Sequence, residues 1–228
     1  MAAKKVTRKQ LLKEPDEFIT FSSRLFQFVI KYKTRVLICL AIGFIIMATI
    51  TGMMYFSKRS EEKAFALMQQ AAEKYNGLLQ TAGPVKACQD VQKDFEFILK
   101  NYKNRLGAEL ARISYADILY RAGEFDQAIA FYREALSGKN NQQPIKYRIL
   151  SGLGYSLTAK KEYQEAAESF EKIANGPESI MKDEALYNLG FIYGAMGDAK
   201  KSKAAYERIV SEYPNSIYIE LAKAKTVG

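Results

Sequence analysis

The chain has 228 residues, 48% of them apolar, and a formal net charge of +9; that is room for one ordinary folded domain with appendages, and it excludes a wholly disordered chain. It has no histidine, which excludes Ser-His-Asp and Cys-His relays, HExxH zinc sites and imidazole ligation. The charge is local: residues 1–35 hold nine Lys/Arg against three acids, Lys58 and Arg59 add two, and residues 60–228 are left with 23 basic and 22 acidic side chains, a balance that argues against nucleic-acid binding.

The leader, residues 1–35, carries the stretch DEFITFSSRLFQFVIKYK. Its Phe18, Phe21, Leu25, Phe28 and Tyr32 recur at steps of three and four, which predicts a helix with one apolar, aromatic face. Two readings are open for this face: it rests on the cytoplasmic leaflet, or it docks on a partner in the membrane.

Residues 36–56, VLICLAIGFIIMATITGMMYF, carry no charge. At about 1.5 Å of rise per residue the run is long enough to cross a hydrocarbon core of about 30 Å, so a membrane span is expected. A buried core helix is disfavoured by the length of the run and the basic residues at both ends. A cleaved signal peptide is disfavoured by the length and by the acids of the leader. Cys39 falls inside the run and Cys88 well beyond it, so no intramolecular disulfide is expected. Arg24, Lys31, Lys33 and Arg35, with the basic leader behind them, outweigh the mixed charges after the run. The amino terminus is therefore expected in the cytoplasm and residues 58–228 on the far side, which in a bacterial inner membrane is the periplasm.

Beyond the run, long helical patterns alternate with short turns, and repetition is the main signal. Aligning DFEFILKNY, FYREALSG, SFEKIANG and AYERIVSEY puts Phe95, Tyr132, Phe170 and Tyr206 at equivalent positions, 37, 38 and 36 residues apart. Small residues keep the same rhythm at Ala116, Gly154 and Gly190.

These residues resemble the tetratricopeptide repeat, a pair of antiparallel helices. The match is fullest over 183–216, where Leu186, Leu189, Gly190, Tyr193, Gly197, Tyr206 and Pro214 fall on signature positions. Residues 109–142 match at Ala116, Gly123, Ala128, Tyr132 and Ala135; residues 147–180 match at Leu153, Gly154, Ala166 and Phe170, with Lys161 where a turn glycine is usual. Residues 57–108 are expected to be a helical linker and a degenerate first copy, and 217–228 a capping helix. The fold expected is all-α: one amino-terminal transmembrane helix followed by an α-solenoid of helix pairs.

Glycine inside a helix costs roughly 0.5–1 kcal/mol relative to alanine, so Gly190 is expected where two helices approach closely and Gly197 where the first helix of the pair closes in a left-handed turn. The resemblance also implies that the first helix of each pair lines an inner surface. Leu110, Ile113, Asp117, Tyr120, Arg121, Arg148, Ser151, Tyr155, Thr158, Glu184, Tyr187 and Phe191 would face inward. Tyr120, Arg121, Arg148, Tyr155, Tyr187 and Phe191 are the candidate partner-binding residues, because Tyr, Phe and Arg supply large contact area and directed polar groups. That the aromatics only complete the packing between repeats is an equal alternative.

No catalytic, cofactor or metal motif is found. GLGYSL at 152–157 lacks the third glycine of a dinucleotide fingerprint, and the pairs Glu61/Glu62 and Asp183/Glu184 read as solvated charge, since neighbours on a helix point about 100° apart. A non-enzymatic module that binds proteins or peptides is expected. Two settings fit it. A cytoplasmic leader, one span and a periplasmic repeat domain resemble the ancillary subunits of the bacterial Sec translocon, which implies translocon subunits and periplasmic chaperones as partners. The other is a scaffold for a cell-envelope, pilus or secretion assembly.

Overall fold

The computed structural model describes residues 17–138 and 142–226, with side chains from residue 21 onward. Among the described residues all regular structure is helical, and the chain divides into two compact units, before and after the Lys58–Arg59 bond.

In the first unit, α1 covers Glu17–Lys31 and α2 begins at Lys33. The Tyr32 N–H donates to Phe28 O and its carbonyl accepts from Val36 N, both at 3.0 Å. The most apolar stretch of α2 has a mean hydropathy of 2.5 and buries none of its side chains. It is a helix long and apolar enough to cross a membrane.

α2 runs over Lys33–Asn101 and is broken at Gly83, whose φ of 77° and ψ of 169° are not helical. Pro84 explains the site of the break: its ring disfavours the helical region for the residue before it, glycine tolerates positive φ, and proline suits the first turn of the helix that follows. The two arms fold back on each other. Lys74 Nζ donates to Asp90 O at 2.9 Å and to Asp94 Oδ2 at 2.7 Å, so residues before and after Gly83 lie side by side and antiparallel.

Three further pairs follow: α3 (Leu106–Arg121) with α4 (Phe125–Leu136), α5 (Gln143–Ala159) with α6 (Tyr163–Ala174), and α7 (Lys182–Ala195) with α8 (Ala199–Glu212). A last helix, α9 (Ile219–Thr226), packs on α8. Each pair packs mainly on its neighbours in the chain, the nearest-neighbour arrangement of a solenoid. Within a pair the turn is tight. Gly123 and Gly197 take φ of 82° there, and Lys161 holds the same place at 62°.

The rhythm of large and small residues is a packing device. Phe95, Tyr132, Phe170 and Tyr206 are all buried. A Cβ on Gly154 would stand 2.6 Å from the Phe170 ring, and one on Gly190 would stand 2.5 Å from the Tyr206 ring. Burying each such side chain contributes about 1.5–3 kcal/mol, which offsets the intrinsic cost of the glycine. Tyr132 reaches onward instead: its ring fills the space that a Cβ on Gly152 of the next pair would need.

Three acids expected in solvent are structural. The Glu61 carboxylate accepts from Gly107 N at 2.7 Å, satisfying an orphan donor in the first turn of α3, where Arg105 offers no side-chain cap. Asp183 accepts from Ser216 Oγ at 2.6 Å. Glu184 accepts from Tyr155 and Ser151, in the pair before it. Ile113, expected on the inner surface, is buried in the core. Both cysteines are free, Cys39 exposed and Cys88 buried.

Candidate partner-binding groove

The carboxyl-terminal turns of α3 and the middle turns of α5 meet along an open depression of about 240 Å³. It brings together Tyr120, Arg121, Arg148 and Tyr155, four of the six residues singled out from the sequence. Their order follows from helical phase: Tyr120 and Arg121 end α3, while Arg148 and Tyr155 lie two turns apart on α5.

Its floor is held by charge-assisted hydrogen bonds. Asp117 accepts from the Tyr132 hydroxyl through Oδ1 and from Arg148 Nη2 through Oδ2, each at 2.5 Å. Burial, and next the Asp117 charge, push the Tyr132 hydroxyl well above the ordinary tyrosine range, so it stays a proton donor. The rings of Tyr120 and Tyr155 stand 6.4 Å apart, tilted by 39°. The Tyr155 hydroxyl donates to Glu184 Oε1 at 2.8 Å and accepts from Asn188 Nδ2 at 3.1 Å. Burial, followed by the bond to Glu184, raises its pKa too. Tyr155 therefore presents a ring edge whose polar end is already satisfied, and Arg148 presents a guanidinium oriented by one carboxylate and largely open to water.

Tyr187 and Phe191 lie one turn apart on α7, outside that depression. Tyr187 stacks on Tyr218 with centroids 4.8 Å apart and meets Tyr206 edge-on at 5.9 Å, so it joins the last pair to α9. Phe191 is 53% exposed and remains a surface aromatic. The sequence did not single out Tyr132 or Met181 for the groove. Tyr132 carried the signal of a core residue and is one, with only its hydroxyl reaching the floor. Met181 enters because the backbone before α7 takes a left-handed turn at φ 61°, which no local pattern announces.

On the leader, Phe21, Leu25 and Phe28 are exposed and Tyr32 is half-buried; Phe18 lies outside the described side chains. Phe28 and Tyr32 pack at 4.9 Å, with Lys31 Nζ and Arg35 Cζ at 5.5 and 5.8 Å from the Tyr32 ring centre.

Helix pairs stacked in this way, with a buried aromatic in each and a glycine beneath it in the last two, define an α-solenoid. Family models of the tetratricopeptide repeat match residues 92–144, 116–180 and 184–216. Over this region the chain belongs to the tetratricopeptide repeat family, a family of protein-interaction modules. The human intraflagellar transport protein 88 homolog (Homo sapiens) is 29% identical over 120 residues, which is 51% of this chain but 14% of that protein. The crystal structure of a tetratricopeptide repeat protein from Parabacteroides merdae aligns with a TM-score of 0.54 at 20% identity, covering 71% of this chain and 59% of that one. The chain thus spans less than two thirds of either relative, and the structural likeness concerns the fold.

Proposed function

We propose that this protein is a single-pass membrane anchor for a protein-interaction solenoid, with the leader in the cytoplasm, residues 36–56 across a bacterial inner membrane and the repeats in the periplasm. The observation that carries the binding reading is the depression between α3 and α5. It joins an aromatic pair to a guanidinium already oriented by Asp117, so a peptide side chain or backbone carbonyl meets a site that needs little ordering. Phe191, exposed on α7, is assigned to the same binding surface, while Tyr187 supports it from the packing against Tyr206 and Tyr218. Translocon subunits and periplasmic chaperones are the partners proposed first. An envelope, pilus or secretion assembly is the alternative, and affinity purification from the native membrane distinguishes them by which subunits are recovered.

Arg121 and Phe191 are exposed, so Arg121→Glu with Phe191→Ser should abolish partner recovery while the melting temperature changes by no more than a degree or two, the small effect expected of surface sites. Full recovery with both substitutions present would remove the groove from the reading. For topology, a reporter active only in the periplasm should work when fused after Gly228 and be silent when fused before Met1; the reverse pattern overturns the orientation.

A further inference from the structure

The connections between repeats alternate between two edges of the solenoid. Glu61 bonded to Gly107 N, Gly138 close to Glu109, and Gly176 against the Tyr147 hydroxyl place the start of the first arm, the starts of α3 and α5 and the ends of α4 and α6 on one edge. Val85 lines a cleft with Ala122 and Glu124, and Lys160 bonds Asp126; these belong to the other edge, with Gly83 and the turns inside each pair.

The large apolar side chains left exposed on residues 59–226 are divided unequally between the two. Phe65, Phe97, Leu106, Ile180, Ile217 and Leu221 lie on or within about one helical turn of the first edge. The second edge has Val85, Met196 and, one turn before the end of α7, Phe191. Leu106, Ile180 and Ile217 share a repeat phase: 217 − 180 is 37, and 180 − 106 is twice 37. Leu106 and Ile180 sit at or just before the first helix of a pair and Ile217 just before α9, and Ile217 is 85% exposed. Exposed apolar side chains are unremarkable singly; recurrence at one phase on one edge calls for a cause.

We propose that this edge rests on the bilayer surface, with these side chains seated in the interface. The inference depends on the membrane-anchor reading above. Only residues 57–60 separate the apolar run from Glu61, so chain length alone keeps Glu61 within roughly 18 Å of Phe56. The edge to which Glu61 belongs is therefore the one tethered next to the lipid. Leu106, Ile180 and Ile217 sit at helix starts or in the turns just before them, a whole repeat or more apart, which suits a fluid interface better than a single rigid protein partner. Lys100 and Lys103, both exposed between Phe97 and Leu106, provide long stems with charged ends suited to headgroups. The tether raises the local concentration of lipid, so contacts too weak to bind a free domain suffice.

The test uses the full chain in phosphatidylethanolamine/phosphatidylglycerol vesicles, in a Cys39→Ser background with buried Cys88 retained. A fluorophore is attached in turn at Leu106→Cys, Ile180→Cys, Ile217→Cys, Val85→Cys or Met196→Cys, and nitroxide is carried on lipid headgroups. The first three labels should lose about half or more of their emission while the last two lose little, as expected for groups in and out of the interface. Ile180→Asp with Ile217→Asp should lower the quenching at position 106. Equal quenching on both edges, or no response to the two aspartates, overturns the proposal. Ile45→Cys with nitroxide on the acyl chains separates the two ideas: quenching there, without a difference between edges, overturns the edge contact alone. No quenching there overturns the anchor and the edge contact together.

Discussion

Lys161 holds φ at 62° in the turn where Gly123 and Gly197 hold 82°. A side chain in the left-handed region costs roughly 1–2 kcal/mol, and glycine returns part of that through its greater freedom in the unfolded chain. The Lys161 side chain is exposed, so nothing else is lost on its removal. Lys161→Gly is expected to stabilise the solenoid by about 0.5–1 kcal/mol, read as a rise in melting temperature; a fall would mean that the side chain makes a contact worth more than the strain. The neighbouring Lys160 is not equivalent. It bridges Asp126 at 2.5 Å and Glu162 at 2.8 Å, and the bond to Asp126, ahead of the one to Glu162, pushes its pKa up to about 12. Of the residues read from the sequence, Gly190 and Gly197 took the roles expected of them. Glu61, Asp183 and Glu184 did not, because their partners lie 46, 33 and 29 residues away and become neighbours only when the pairs stack.

The first hairpin shows how one element steadies the next. Gly107 packs so near the backbone of Ala64 and Phe65 that a Cβ would stand 2.7 Å from Phe65 N, and at that contact Glu61 caps α3. Because repeat arrays gain stability through interfaces between neighbours, this cap should count for the fold as well as for one helix end. Glu61→Ala should cost about 1 kcal/mol, as the loss of a helix cap does, and should fray the first turn of α3, seen as faster amide hydrogen exchange at Gly107 and Ala108. Unchanged exchange there would show that the turn is held by packing alone. The break at Gly83 belongs to the same scale. It was not read from the sequence, where Gly83-Pro84 lies inside an otherwise regular pattern; in the structure it turns one long helix into the first antiparallel pair.

At the scale of the whole molecule the groups raised by burial are tyrosines and the Cys88 thiol. Burial comes first among the causes that raise Tyr115, to about 12, and Tyr132, Tyr155 and Tyr193, each further aided by a nearby carboxylate. In the unfolded chain these hydroxyls titrate near pH 10. Above that pH the unfolded state binds fewer protons than the folded one, so the tyrosine contribution is complete below about pH 10 and falls as pH rises toward the folded values, while that of Cys88, raised by burial, begins to fall above about pH 8.5. With no histidine in the chain, little should change between about pH 6 and 8. Melting temperatures of residues 59–228 across pH 6–12 should therefore run flat and then drop, together with phenolate absorbance. A drop centred near pH 7 would contradict this account of the core.

By itself the sequence determined the helical class, the repeat with its recurring aromatic and small residues, and an apolar run long enough for a bilayer, because each is written in spacings of a few residues or in a period of about 37. The tertiary structure decided which candidates share a site. Tyr120, Arg121, Arg148 and Tyr155 converge, whereas Tyr187 is taken up by Tyr206 and Tyr218 and Ile113 by the core. Helical periodicity fixes the direction of a side chain on its own helix. What it meets there depends on the offset and tilt between successive pairs, which are set by contacts among residues about 30 or more apart, such as Asp117 with Arg148 and Ser216 with Asp183.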